Sequence, residues 1–364
     1  MTEILRARRG IPKFARKVLA GAPVRIVAFG TSLTLHSHCG QRLGARYLDP
    51  LVPMAASATR NARIELIAQG LEGFPSWWAA HRVRSDVLPH APDLVLLEFA
   101  HNDTYVPAIP AAMHAIVDKI REALPTSEIA IIILAPQGSA ARGPSETMLA
   151  HERVAEYYGL PSFDLATFAE RLVADGRTTW AQLTFDGIHH TELATQLLGE
   201  PFARAFVELL RVSAQNAVER APVAPARSPI ARADRASMRQ FVGGDRKWTV
   251  GPPSPQMLKS RTIAAFVDEI ATANEAGASF SFAFRGMHVQ VWALSLGGAL
   301  DVAVDGAPAQ RLDVPASARP YWGLVSLATD MPDALHAVEI AVAQLPIVLG
   351  DLFFVGELEP AAVR

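Results

Sequence analysis

Four short segments of the sequence carry side chains that suit acyl chemistry. Ser32 follows an apolar run, and a serine on such a turn can present its hydroxyl at the edge of a sheet. His189 comes three residues after Asp186, and a carboxylate at that spacing can hold a general base in the correct tautomer. Gly70 ends a second apolar run, where a bare backbone N–H can approach a ligand. Asn102 follows a third run, where its amide can donate to a developing oxyanion.

Each segment also has an ordinary structural interpretation. Serines after strands are commonly helix N-caps, and Gly70 competes with Gly73 for a simple turn. Asn102-Asp103 and Asp186-Gly187 are both common turn pairs. The four segments taken together predict a nucleophile, a base and oxyanion donors, whereas no segment predicts them alone.

Alternating strand and helix signals position these segments. Short apolar runs predict strands buried on both faces, as in a parallel sheet, at 24–29, 64–68, 94–99, 129–135 and about 161–164. Apolar residues at helical spacing predict helices at 111–124, 145–158 and 192–210. The alternation favours a doubly wound α/β domain, in which ligands bind at the carboxyl ends of the strands.

The pattern changes in the last third of the chain. Prolines among small residues predict a linker at 213–232. Beyond it, from 233 to 364, apolar residues alternate with polar ones and Asp305-Gly306 is a hairpin turn signal, which favours an all-β sandwich. Residues 1–22 carry six basic residues among apolar ones and predict a basic helical leader. Such a helix could touch a membrane surface or a partner, but we favour a helix packed on the α/β domain with its charges in solvent.

The order of the four segments resembles the SGNH or GDSL hydrolase superfamily. The matching segments are Gly30-Thr31-Ser32, Gly70, His101-Asn102-Asp103 and Asp186-Gly187-Ile188-His189. Thr31 stands where the family usually has aspartate, and His101 stands where its third segment usually begins with glycine. The resemblance covers about residues 23–212 and implies a flavodoxin-like three-layer α/β/α fold with a parallel sheet. The β region resembles, more loosely, the jelly-roll modules that accompany some carbohydrate esterases.

The resemblance also implies roles for the matching residues. Ser32 would attack the acyl carbon, His189 would take its proton, and Asp186 would orient His189. The backbone N–H groups of Ser32 and Gly70 and the side chain of Asn102 would form the oxyanion hole. The expected reaction is hydrolysis of a small acyl ester, most simply an acetyl ester on a carbohydrate, through an acyl-enzyme.

Three alternatives remain open. An O-acyltransferase would use the same triad with a sugar in place of water. A non-catalytic carbohydrate-binding protein could keep the fold without the activity, and the β domain could serve as an assembly scaffold or a homo-oligomer contact.

Several other residues could suggest a metal site, a different general base or a sugar-binding surface. His36, His38 and Cys39 look like a metal cluster but lack the paired spacing of a zinc site, so we expect no metal and no cofactor. His190 is a rival for the role of base. Trp77, Trp78 and Trp180 could form a sugar platform or simply pack in the core.

Bulk properties limit the partners. A net charge of −2 provides no broad basic field, so a nucleic-acid partner is disfavoured. No stretch approaches the length of a transmembrane segment, and the N-terminus lacks the apolar run of a secretory signal, so the sequence predicts a cytoplasmic protein. The expected partner is a small-molecule or oligosaccharide acyl ester.

Overall fold

The computed structural model describes residues 3–38, 41–42, 44, 46–134, 136–141, 143–217, 229–243, 245–254, 269–318 and 322–359. The chain divides into two compact units, Met1–Ala231 and Arg232–Arg364. This division falls inside the predicted linker, whose central residues 218–228 lie outside the described residues. In the described part of the chain, no helix has the length and apolar character needed to span a membrane.

The first unit is built on a six-stranded sheet with the order β1-β8-β7-β6-β2-β5. Its strands are β1 (Leu5–Arg6), β2 (Val24–Thr31), β5 (Ile64–Leu71), β6 (Leu94–Glu98), β7 (Glu128–Ile133) and β8 (Ser162–Asp164). Strands β3 (Ser37–His38) and β4 (Gln41–Arg42) form a separate small sheet. From β2 to β8 the neighbouring strands are parallel, in the flavodoxin-like order, so the predicted fold is confirmed.

Helices connect these strands. They are α1 (Pro12–Leu19), α2 (Ser32–Leu35), α3 (Leu51–Thr59), α4 (Ser76–Asp86), α5 (Ile109–Ala123), α6 (Glu146–Tyr158), α7 (Leu165–Ala174), α8 (Trp180–Leu183), α9 (Glu192–Ala194) and α10 (Glu200–Ser213). A single π-helical turn, Thr195–Gly199, joins α9 to α10 and interrupts the helix predicted at 192–210. Helix α6 begins as the sequence predicts, because the Ser145 hydroxyl accepts a hydrogen bond from the Met148 N–H.

The strands are apolar because helices cover both faces of the sheet. Every residue of β6 is buried, including the four aliphatic residues Leu94–Leu97. Such a strand cannot show a period of two, and this explains why it reads as a continuous apolar run. The one charged residue of β6, Glu98, stands at its carboxyl end.

The N-terminal segment contributes a strand as well as a helix. Strand β1 adds an antiparallel edge to β8, and α1 buries Phe14 and Val18 in the core of the unit. Its basic side chains have specific partners: Arg8 pairs with Glu152, and Lys17 with Asp93 at 2.6 Å. The segment is therefore part of the first unit.

The second unit is an antiparallel β domain, as the alternating pattern predicts. Its strands are β9 (Ala233–Ala236), β10 (Trp248–Gly251), β11 (Ile270–Ala273), β12 (Ser279–Leu294), β13 (Ala299–Val304), β14 (Gln310–Asp313), β15 (Trp322–Ala328), β16 (Ala334–Gln344) and β17 (Val348–Leu358), with one short helix, α11 (Arg239–Val242). The long strand β12 pairs with β16 in its first half, with β15 in its second half, and with β17 from Phe284 to Ala293. This change of neighbour joins the halves of the sandwich, and their alternate residues share one apolar core.

Strand register brings the sequence segments together in the first unit. In the sheet, Gly30 on β2 is paired with Gly70 on β5 and with Glu98 on β6. The turns after these three strands therefore start side by side, where the strand order reverses between β2 and β6. This is the place where doubly wound sheets bind their ligands.

Candidate active site

A serine, a histidine and an aspartate form a hydrogen-bonded row at this edge. The Ser32 hydroxyl lies 3.0 Å from Nε2 of His189, and Nδ1 of His189 lies 2.7 Å from Oδ2 of Asp186. Ser32 is the first residue of α2, immediately after β2, while Asp186 and His189 come from the loop between α8 and α9. Residues 157 positions apart in the chain thus meet within hydrogen-bond reach.

Backbone contacts hold the aspartate–histidine loop. The Asp186 Oδ1 atom accepts hydrogen bonds from the N–H groups of Ile188, at 3.0 Å, and His189, at 2.7 Å. Burial alone would raise the pKa of Asp186, but the hydrogen bonds from the His189 side chain and from these two N–H groups outweigh it, so the pKa lies below its ordinary value. Asp186 is therefore ionised at neutral pH and can stabilise a protonated His189.

Gly70 lies against the turn that carries Ser32. A Cβ atom at Gly70 would lie only 2.4 Å from the Thr31 carbonyl oxygen and 2.6 Å from the Leu35 nitrogen. No larger residue fits without moving the backbone of that turn, so glycine is required here for close approach.

Asn102 lies in the turn after β6. Its side-chain amide donates to the Phe74 carbonyl oxygen at 3.3 Å, which ties this turn to the one after β5. An amide group carries two N–H bonds, and among the described residues this is its one recorded acceptor. The second N–H is left for a further acceptor.

Asp103 anchors the same turn. It is buried, and its carboxylate accepts from the Ser76 N–H at the start of α4, at 2.7 Å, and contacts Nε2 of His151 at 2.8 Å. The turn that carries Asn102 is thereby fixed to α4 and α6. The sequence shows the Asn102-Asp103 pair, but His151 gives no signal because it lies far away in the chain.

Part of the chain matches a known protein family. Residues 28–197 match the model of the GDSL-like lipase/acylhydrolase family. The matched residues make up most of the first unit, which is therefore similar to this family. The match supports a carboxylic ester hydrolase. No curated protein sequence matches it at a significant level.

The fold of the whole chain is similar to that of a two-domain esterase, CEX, that is active on acetylated mannans. The structure of CEX crystallised with mannopentaose has a TM-score of 0.72 and 19% identity, over 98% of this chain and 97% of that one. A second CEX structure has a TM-score of 0.73 and 18% identity, over 97% of both chains. An acetylxylan esterase, Axe2 from Geobacillus stearothermophilus, covers 51% of this chain and 94% of its own at 17% identity, with a TM-score of 0.43. The CEX likeness confirms the fold of both units.

Two further histidines, His101 and His190, lie near the row formed by Ser32, His189 and Asp186. His101 is buried, and desolvation together with the neighbouring His189 lowers its pKa to about 4, against the opposing effect of Asp186. His190 packs edge-to-face against Tyr47, and burial beside His36, His101 and His189 lowers its pKa to about 3. Both rings are neutral at neutral pH. The recorded contact to Ser32 is made by His189, so the geometry favours His189 over its rival as the base.

The buried, neutral His190 predicts a pH-dependent stability. Below its ordinary pKa of 6.5 the unfolded chain takes up a proton that the folded chain refuses until about pH 3, so acid lowers the free energy of unfolding. His190→Phe keeps a ring against Tyr47 but has no group to protonate. Between about pH 6.5 and 4.5, we expect the free energy of unfolding to fall less steeply in this variant than in the parent, the two slopes differing by about 1 kcal/mol per pH unit. Urea unfolding across that range measures the two slopes.

The buried acid Glu98 has the opposite effect on how the free energy of unfolding depends on pH. Burial raises the pKa of Glu98 to about 7, so the folded chain holds a proton that the unfolded chain releases above pH 4.5, and acidification then adds stability. This contribution is common to both proteins and cancels in the comparison. Parallel slopes would show that His190 accepts a proton in the folded state.

The segment that contains His36, His38 and Cys39, where we expect no metal, is only partly described. His36 is buried, and its Nε2 lies 3.1 Å from the His190 carbonyl oxygen. Cys39 lies outside the described residues, as does the side chain of His38. Within the described part of the chain, no group of three or more histidine, cysteine, aspartate or glutamate side chains is arranged to hold a metal ion. The expectation that the enzyme uses no metal remains a prediction.

Aromatic residues near the site have different surroundings. Trp77 packs against Trp78 and His81, and Trp180 packs on the small cluster around Leu183, so these tryptophans contribute to packing. The sequence interpretation missed Phe185, which is 52% exposed and stacks on the His189 ring at 5.8 Å. Its position immediately before Asp186 was the available signal.

Proposed function

We propose that the chain is a serine esterase that removes acetyl groups from a carbohydrate through a Ser32–His189–Asp186 triad. One observation carries the proposal: His189 lies between Ser32 and Asp186, with one ring nitrogen within hydrogen-bond distance of each. The Asp186 carboxylate favours a proton on Nδ1, which leaves Nε2 free to take the Ser32 proton. The serine hydroxyl is thereby activated as a nucleophile.

The reaction follows from this arrangement. Ser32 Oγ attacks the acetyl carbonyl carbon while its proton passes to Nε2 of His189, and the carbonyl π electrons move to oxygen. The tetrahedral intermediate collapses, the alkoxide leaves with the proton from His189, and acetyl-Ser32 remains. His189 then takes a proton from water, which attacks the acetyl carbon, and gives that proton to Ser32 Oγ as the second intermediate collapses to acetic acid and the free serine; the acid then ionises to acetate. Asp186 remains ionised throughout.

The backbone N–H groups of Ser32 and Gly70 and the Asn102 amide are proposed to stabilise the oxyanion. They come from the turns after β2 and β6 and from the carboxyl end of β5, which strand register places side by side. Such donors act mainly on the charge that develops in the transition state, so they affect kcat more than KM.

Replacement of Asn102 tests this assignment. We expect Asn102→Ala to lower kcat about 100- to 1,000-fold with a small change in KM, because it removes one preorganised donor. Asn216→Ala is a matched control, since that asparagine donates to the Arg9 carbonyl oxygen in the same unit through its side chain. Steady-state kinetics on an acetyl ester give both constants. An equal loss in the two variants, or a loss confined to KM, would contradict an oxyanion role.

The carbohydrate part of the proposal rests on the likeness to CEX across both units. In the test, the purified protein is incubated separately with acetylated mannan, with acetylated xylan, and with the p-nitrophenyl esters of acetate, butyrate and octanoate. We expect acetate release from an acetylated glycan and a preference for acetate over octanoate. Activity on octanoate with none on acetylated glycans would contradict the proposed substrate. Transfer of acetyl to an added sugar acceptor, at the expense of free acetate, would favour the acyltransferase.

A further inference from the structure

A buried carboxylate lies beneath the turn that carries Ser32. Glu98, at the carboxyl end of β6, is 1% exposed. Its Oε2 atom accepts hydrogen bonds from the Thr31 hydroxyl at 2.7 Å, the Thr34 hydroxyl at 3.0 Å and the Thr31 N–H at 3.2 Å. One oxygen atom of Glu98 thus binds donors on both sides of Ser32.

A glycine on β2 makes room for this carboxylate. Gly30 is paired with Glu98 in the sheet, and a Cβ atom there would lie 2.3 Å from the Thr34 hydroxyl oxygen and 3.0 Å from Oε2 of Glu98. Any other residue at position 30 would push the carboxylate or Thr34 away from the turn. The glycine of this segment therefore serves the contact between β6 and the serine turn.

The contact orients the backbone around the serine. The Thr31 hydroxyl has one proton, which it donates to Glu98, so its lone pairs are left to accept the Leu33 N–H at 3.2 Å. That bond caps α2, the short helix that Ser32 begins. Glu98 thereby fixes the hydroxyl that fixes the first turn of α2.

The buried position of Glu98 is unfavourable for the charged form of its carboxyl group. Burial raises the pKa of Glu98 to about 7 against the lowering effect of the bonds from Thr31 and Thr34. Its other oxygen, Oε1, is buried with no hydrogen-bond partner among the described residues. Burying a carboxylate with one unpaired oxygen destabilises a fold, and a neutral side chain of the same shape would be better for stability alone.

We propose that Glu98 is a positioning residue, which holds Thr31 and Thr34 so that the Ser32 hydroxyl and N–H face the substrate. This inference rests on the proposed role of Ser32 as nucleophile. In this chain the carboxylate comes from the neighbouring strand, because position 31 is threonine. Glu98 makes no contact with the substrate; it acts through the two threonines.

The first test replaces Glu98 with glutamine. We expect Glu98→Gln to lower kcat on p-nitrophenyl acetate about 10- to 100-fold with KM nearly unchanged, because small displacements of a nucleophile are costly. The melting temperature, measured above pH 7 where Glu98 is ionised, should be unchanged or higher, since a buried charge is removed. Glu128→Gln is the matched control: Glu128 also accepts a backbone N–H, that of Phe14 at 2.8 Å, at the start of β7.

A second test moves the carboxylate. In Thr31→Asp the new carboxylate lies next to Oε2 of Glu98, and two buried like charges repel, so activity should fall sharply. In the double variant Thr31→Asp/Glu98→Gln the glutamine can donate to the new carboxylate, which can also cap α2. We expect the double variant to be about 10-fold more active than Thr31→Asp alone. A residue with only a packing role would give additive losses.

The two proposals fail in different ways. Labelling with a fluorophosphonate, which reacts with activated serines, reports on Ser32 without any assumption about the substrate. No Ser32-dependent labelling of the parent chain would overturn the proposed function. Full labelling and an unchanged kcat in Glu98→Gln would leave the function standing and overturn the role of Glu98. A lower kcat and a lower melting temperature in Glu98→Gln, together with a double variant no more active than Thr31→Asp alone, would also overturn it.

Discussion

Ser32→Ala is expected to lower the rate of p-nitrophenyl acetate hydrolysis by about 10,000-fold or more, to the level that binding and oxyanion donors sustain without a nucleophile. In the proposed mechanism the Ser32 Oγ atom forms the acyl-enzyme, and the methyl group of alanine cannot replace it. Because Ser32 is almost fully buried and alanine is smaller, the variant should fold and melt close to the parent. Stopped assays with a sensitive chromogenic ester measure the residual rate.

A second buried serine provides the control. The Ser213 hydroxyl in α10 accepts the Ile11 N–H at 3.0 Å, far from the site in the first unit. Ser213→Ala removes a buried hydroxyl and should cost about 1 kcal/mol of stability, while kcat stays within about twofold of the parent. Equal rates for the parent and Ser32→Ala would exclude Ser32 as nucleophile, whatever the substrate.

Asp186→Asn should lower kcat about 1,000- to 10,000-fold while the loop keeps its shape. An asparagine can still accept the backbone N–H groups of Ile188 and His189 through its oxygen. Its NH₂ group, however, would face Nδ1 of His189 and place the imidazole proton on Nε2, where it cannot accept the Ser32 proton. The protonated imidazole would also lose its counter-charge.

The chain contains its own control for this substitution. In the second unit, Oδ2 of Asp305 lies 2.7 Å from Nδ1 of His336, and Oδ1 accepts the Ala337 N–H at 2.8 Å. Nε2 of His336 lies 2.8 Å from the Pro332 carbonyl oxygen, so this aspartate–histidine pair has no serine to activate. Asp305→Asn should change stability but leave kcat within about twofold of the parent. If both variants lost activity equally, the effect would belong to folding.

The sequence predicted the positions of the central strands along the chain well, because burial on both faces leaves a continuous apolar run. Strands β2, β5, β6 and β7 appear as apolar runs, and the carboxyl ends of the first three mark the places where Ser32, Gly70 and Asn102 lie. Strand β1 was not predicted, because two residues at the edge of a sheet carry no period. The helix predicted at 192–210 is interrupted by a π-helical turn that leaves its amphipathic pattern unchanged.

The sequence by itself determined the two-part fold and the candidate residues, since both depend on local patterns and on segment order. Only the tertiary structure decided which histidine reaches Ser32, because His189 and His190 are adjacent in the chain and their loop sets which ring turns inward. It also decided the place of Glu98. A glutamate that ends an apolar run looks like an exposed strand end, and its carboxylate reaches Thr31 and Thr34 only because strand register pairs it with Gly30. Contacts between distant segments depend on how the strands pair, which no local pattern records.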